Sequence, residues 1–154
     1  MDQQPEKEDL NSAVKKTRFT IVTAPSLRLV HKDEIGVLLI GNGKEWKEKF
    51  SNSAADEWCG NHVVVFYTED NTNINNLAWV IATAGFVNEI VFHITNNPAP
   101  LDLVLLGSLI GQENCRVSLR ENLPHLYPLL SHYKMTIHHD PIDHVKAMRL
   151  KYEG

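Results

Sequence analysis

The densest group of chemically capable side chains in the chain is His138-His139-Asp140-Pro141-Ile142-Asp143-His144. Imidazoles titrate near neutral pH, so His138, His139 and His144 are the candidates for proton transfer in a hydrolase or transferase. The spacing fits no established zinc signature. Neighbouring residues at a strand end point to opposite sides, so His138 and His139 are not expected to share an ion, and His144, one turn into the next helix, meets only one of them. No metal site is expected, and Asp140 has a competing task as a helix cap. Eight histidines in the chain dilute the signal further.

A second chemistry, the binding of anions, is suggested by Gly41-Asn42-Gly43-Lys44. Two glycines allow a ligand close to the backbone, and a helix starting after them offers unpaired N–H groups and a positive dipole end. The segment matches neither the dinucleotide fingerprint nor the phosphate-loop signature, and a tight turn uses glycine for conformational reasons alone. Glu69 or Asp70 is placed to accept hydrogen bonds from ribose hydroxyls, or else to cap the next helix. Asn96 offers an amide to a base or sugar. Arg120 is the cation best suited to hold a phosphate or carboxylate in a bidentate grip. Together Gly41, Asn42, Gly43, Glu69, Asp70, Asn96 and Arg120 outline a cofactor-like site for a nucleotide-like or other anionic small molecule, of unknown identity. No nucleophile is set up: Ser108 lies inside an expected helix rather than at a strand-to-helix elbow.

For those residues to meet, the chain must bring its loops to one rim, and its hydrophobic pattern does so. Short β-branched runs at Gly36–Ile40, His62–Tyr67, Glu89–Ile94, Cys115–Leu119 and Met135–His138 read as strands, apolar nearly throughout and so buried on both faces. Their starts lie about 26 residues apart, falling to about 20 for the last, which is room for one crossover helix each time. Arg18–Val22 adds a possible edge strand. Between the strands, Lys44–Cys59 spaces Trp46, Phe50, Ala54 and Trp58 four apart, with Lys44, Lys47, Glu48 and Glu57 on the polar side. Ile74, Leu77, Ala78, Ile81 and Ala82 mark the apolar stripe of a second helix ending at Gly85. A third starts at Asn97-Pro98 and ends at Gly111. A fourth begins near residue 122 and is kinked or restarted by Pro128. Pro141–Tyr152, capped by Asp140, forms the fifth. The alternation predicts a three-layer α/β/α sandwich, Rossmann-like or flavodoxin-like, with about five parallel strands of unreadable order. His93 is expected in the core.

Size and charge limit what such a fold does. At 154 residues and 17.5 kDa, 18–154 makes one α/β domain, preceded by a polar flexible arm over 1–17. Fifteen basic against nineteen acidic residues argue against duplex nucleic acid. Cys59 and Cys115 form no disulfide framework, which points to a cytoplasmic setting. The most apolar run, Leu101–Ile110, is too short for a membrane span and has almost no polar side. That run suggests a contact with a second copy, so the alternative to a ligand-binding domain is a non-catalytic homo-oligomeric assembly protein.

Overall fold

A computed structural model describes residues 19–58, 62–69, 74–95, 98–119 and 124–153; the expected arm lies outside them. Among the described residues the β-branched runs form six strands: β1 (Phe19–Thr23), β2 (Glu34–Ile40), β3 (His62–Tyr67), β4 (Glu89–Ile94), β5 (Cys115–Leu119) and β6 (Thr136–His138). All neighbours are parallel, in the order β1-β3-β2-β4-β5-β6. The helices are α1 (Lys44–Glu57), α2 (Ile74–Ala84), α3 (Pro100–Leu109), α4 (Tyr127–His132) and α5 (Pro141–Glu153).

Alternate strand residues face opposite layers. Leu38, Ile40, Val64, Phe66, Ile90 and Phe92 pack against α2, α3 and α4 through Trp79, Val80, Leu105, Leu106 and Leu130. Val37, Leu39, Val63, Val65 and Val91 pack against α1 and α5 through Phe50, Ala54, Trp58, Val145 and Met148. The result is the expected three-layer sandwich. The optional first strand is present as β1, paired with β3 at one edge. Without β1, the order of the other five is that of flavodoxin-like sheets. From β2 the chain crosses through α1 to β3 on one side, then returns through α2 to β4 on the other. Crossovers therefore diverge at the carboxyl ends of β2 and β4, which is where open α/β sheets hold their ligands.

Several elements differ from the sequence expectation, each for a packing reason. On α1 the buried side chains are Lys47, Phe50, Ser51, Ala54 and Ala55, followed by Trp58. True helical drift puts 47, 50, 51, 54, 55 and 58 on one face, so Lys47, expected on the polar side, is only 3% exposed. On α2 the stripe through Ile74, Ala78, Ile81 and Ala82 faces outward, while Trp79, Val80, Thr83 and Ala84 meet the sheet. The helix is apolar on two sides, and the side carrying the indole is the one that buries the greater area. The Trp79 Nε1–H also donates to the Ser26 carbonyl at 2.6 Å. α3 starts at Pro100 rather than Pro98, with proline in its first turn. Pro128, expected to kink the fourth helix or to restart it, stands in the first turn of a short α4, as the restart requires. β6 begins one residue later than Met135.

Candidate functional site

The connection from β2 to α1 is fixed by backbone geometry. Gly41 has φ +145° and Gly43 φ +106°, and a Cβ on Gly41 would run into the His93 carbonyl oxygen of β4. Glycine is thus demanded by close approach between neighbouring strands as well as by conformation. α1 then begins with no side-chain cap hydrogen bond, leaving its first N–H groups and positive dipole end toward the sheet rim. Trp46, in the first turn, places its ring 5.0 Å from the His93 ring and donates from Nε1 to the Asn42 carbonyl at 2.8 Å.

α5 starts at the same rim and on the same face, packed beside α1. Asp140 caps it by accepting from the Ile142 N–H at 2.9 Å. His139 Nδ1 lies 3.2 Å from the Leu119 carbonyl oxygen. Between the two helix starts is a cleft of about 560 Å³, within the usual range for small-molecule sites. Asn42, Gly43, Glu45, Trp46 and Lys49 form its α1 wall. His93 and Thr95 form the floor at the end of β4, and His139, Asp140, Pro141 and Ile142 the α5 wall. One wall is aromatic, two helix starts point in, and the charge of Lys49 is set against Glu45 and Asp140.

A cavity of about 40 Å³ lies on the other side of Asn42 and Gly43, lined also by Lys44, Lys47, Tyr67 and Glu69. Lys47 Nζ donates to the Thr68 carbonyl at 2.9 Å and lies 5.5 Å from the Tyr67 ring centroid. Burial pushes its ammonium down to about 8, against the opposing charges of Asp102 and Glu69. Burial, with Glu69 and Glu48 nearby, raises the Tyr67 hydroxyl. Glu69 is exposed and pairs with Lys44 at 3.8 Å. Behind Thr68, Asn76 Nδ2 donates to its hydroxyl at 2.9 Å, and Asp102 is buried at the start of α3.

Of the residues singled out from sequence, Asn42, Gly43 and His139 line one cleft, joining the glycine turn and the histidine segment, which had suggested separate chemistries. Gly41 sets the turn behind them, and Glu69 lies beside the smaller cavity. His144 is fully buried under α5 with the His138 ring against it at 4.6 Å between centroids, and neither lines the cleft. Asp70, Asn96 and Arg120 lie outside the described residues, as does Cys59. Sequence reasoning missed Trp46, Lys49 and Thr95 as cleft residues, and read His93 as core alone; it is buried and also forms the floor. Lys47 was legible in the 3.6-residue drift of its helix. Among the described residues no three His, Cys, Asp or Glu side chains are grouped to hold a metal ion.

The opposite rim carries charge of a structural kind. Glu34, at the start of β2, accepts from Arg28 at 2.7 and 3.0 Å and from the His31 N–H at 2.8 Å. The Arg28 guanidinium holds the Glu34 carboxyl down to about 2, overcoming burial. His62 bridges Glu34 Oε2 at 2.8 Å and Thr20 Oγ1 at 3.0 Å. The order hydroxyl, imidazole, carboxylate resembles an acyl-transfer relay. Here it ties the starts of β1, β2 and β3 at the amino rim, remote from the cleft, with the carboxylate already neutralised by Arg28. Glu89, fully buried at the start of β4, is held in the same manner by Tyr152, Lys151 and Arg116. Compared with protein-family models and with curated proteins, the chain matches none.

Proposed function

We propose that this protein binds a nucleotide-like or other anionic small molecule in the 560 Å³ cleft at the carboxyl rim, where crossovers diverge between β2 and β4. The observation that carries the reading is the convergence of two helix starts, α1 and α5, on a cleft with the Trp46 ring as one wall. The anionic group sits at the helix starts, where Lys49 adds charge and His139 an imidazole able to hydrogen-bond. A planar group lies against Trp46. Of the three histidines proposed for proton transfer, His139 is the one with access to this ligand, so any acid–base role belongs to it. A cytoplasmic setting suits the reading: Cys115 is a buried free thiol, pushed up to about 12 by burial, and no helix among the described residues is long and apolar enough to cross a membrane.

The test is a thermal-shift panel of mononucleotides, dinucleotides and sugar phosphates. A ligand at a hundred times its Kd stabilises by about 2.7 kcal/mol, or about 5–10 °C in Tm for a chain of this size. The shift should shrink in Trp46→Ala and Lys49→Glu. A panel without any shift at millimolar concentration overturns the proposal.

A further inference from the structure

Among the described residues Lys47 is the one buried lysine; Lys32, Lys44, Lys49, Lys134, Lys146 and Lys151 are all exposed. Lys47 and Tyr67, both buried, line the cavity of about 40 Å³ together with Asn42, Gly43, Lys44 and Glu69, all exposed. The cavity therefore runs from solvent at the carboxyl rim down to the Lys47 side chain. At about 10–15 Å³ for each water-sized group, it has room for about three such groups, the size of the smallest carbonyl compounds.

Three reactions are open to an amine in such a place: acylation, carboxylation by carbon dioxide, and condensation with an aldehyde. The surroundings discriminate among them by charge. Acylation leaves a neutral amide and carboxylation an anion, and either removes the positive charge that Asp102 and Glu69 face. Condensation gives a protonated imine, which keeps that charge before the two carboxylates. It also keeps a cation near the rings of Tyr67 and Trp46, whose centroids lie 5.5 and 6.0 Å from Nζ. Hydrogen bonding agrees. An ammonium brings three donors, and among the described residues one acceptor meets them, the Thr68 carbonyl at 2.9 Å. The single N–H of a protonated imine needs only that one.

We propose that Lys47 captures a small aldehyde in this cavity as a protonated imine, a covalent site separate from the cleft and independent of any ligand bound there. The ammonium first gives one proton to water at the cavity mouth. The nitrogen lone pair then forms a C–N bond to the carbonyl carbon, the carbonyl π pair moves to oxygen, and a proton passes from nitrogen to that oxygen. A proton returned from water makes the hydroxyl a leaving group. The C–O bond breaks, water departs, and the nitrogen lone pair closes the C=N bond. One ammonium and one aldehyde become one protonated imine and one water, with charge conserved and no oxidant or reductant. Burial favours the first step: at about 8 the amine is neutral in about a quarter of the molecules at pH 7.5, against about one in a thousand for an ordinary lysine at 10.5.

The experiment is reductive trapping of the full chain with acetaldehyde and cyanoborohydride at pH 7.5, the ethylated lysines being located over time by peptide mass spectrometry. Lys47 should be ethylated at least tenfold faster than any of the exposed lysines Lys32, Lys44, Lys49, Lys134, Lys146 and Lys151. With benzaldehyde the order should reverse, because its ring exceeds the cavity. Guanidinium chloride should abolish the preference, since it belongs to the folded chain. Lys47→Arg, which keeps the positive charge, should lose the fast phase. Ethylation of Lys47 no faster than that of the exposed lysines overturns the proposal. So does a preference for Lys47 that persists with benzaldehyde or in denaturant, or a fast phase that survives in Lys47→Arg.

Discussion

His144 provides a pH-dependent test of how the α5 layer is packed. Its ring is fully buried, neither nitrogen makes a hydrogen bond of good geometry, and the His138 ring lies against it. Burial first, and then the repulsion of His138 and Arg116, push its imidazole from 6.5 down to about 3; a weak interaction with the Val117 backbone works the other way. Above pH 6.5 the group is neutral in both folded and unfolded chains and has no effect. Below 6.5 the unfolded chain takes up a proton that the folded one refuses until about pH 3, so stability falls across that window. At pH 5, 1.5 units below 6.5, the loss from this one group is ~2 kcal/mol at 1.36 kcal/mol per unit. The perturbation is His144→Leu, and the assay is urea unfolding followed by tryptophan fluorescence at pH 8, 7, 6 and 5. The other seven histidines are common to both chains, so the comparison isolates position 144 to first order. The variant should keep about 2 kcal/mol more of its pH 8 stability at pH 5 than the wild type keeps. Parallel stability curves for the two chains would refute the reasoning, because they would mean that His144 accepts its proton in the folded state.

Three further outcomes follow from the geometry. Glu34, held at about 2 against its ordinary 4.5, contributes stability that is intact above pH 4.5 and lost as pH falls toward 2, about 3 kcal/mol in all; Glu34→Gln should flatten that acid limb in thermal melts, and a retained limb contradicts the Arg28 grip. Lys47, down at about 8 against 10.5, has the opposite window: wild-type stability should rise by up to about 3 kcal/mol between pH 8 and 10.5 relative to Lys47→Met, and equal alkaline limbs in urea titrations would show an ammonium still in water. Gly41→Ala combines a strained φ with a clash on the His93 carbonyl, so it should cost at least about 2 kcal/mol, a fall of about 4–8 °C in Tm by calorimetry; an unchanged Tm contradicts the close β2–β4 approach.

Much of the architecture was legible because parallel strands buried on both faces leave an unambiguous mark. Val63–Phe66 and Ile90–Phe92 have no polar alternation to misread. Strand order was not legible, since crossovers of similar length reach either side of β2, and the order decides which loops meet. That is why the turn at Gly41–Gly43 and the segment at His138–His144 looked like separate chemistries until the fold packed α5 beside α1, with the end of β4 between their starts. Helix faces were readable only as far as one stripe dominated. α2 has two apolar stripes, and nothing local says that Trp79 faces the sheet while Ile74 and Ile81 do not. Lys47 was misplaced by a strict four-residue count along α1, where the helix itself turns every 3.6 residues. Trp46 is a cleft residue for the same reason: it stands at the margin of the buried face and so reaches the rim.

The central claim is that the rim between β2 and β4 is a ligand site, and amide and indole NMR chemical shifts during titration with nucleotides and sugar phosphates test it most directly. Saturable perturbations of the Gly41 and Gly43 amides, the Trp46 indole N–H and the Thr95 amide, with Glu34 and Glu89 at the far rim unmoved, are the predicted result. Perturbations confined to the amino rim, or none for any of these compounds, would contradict it.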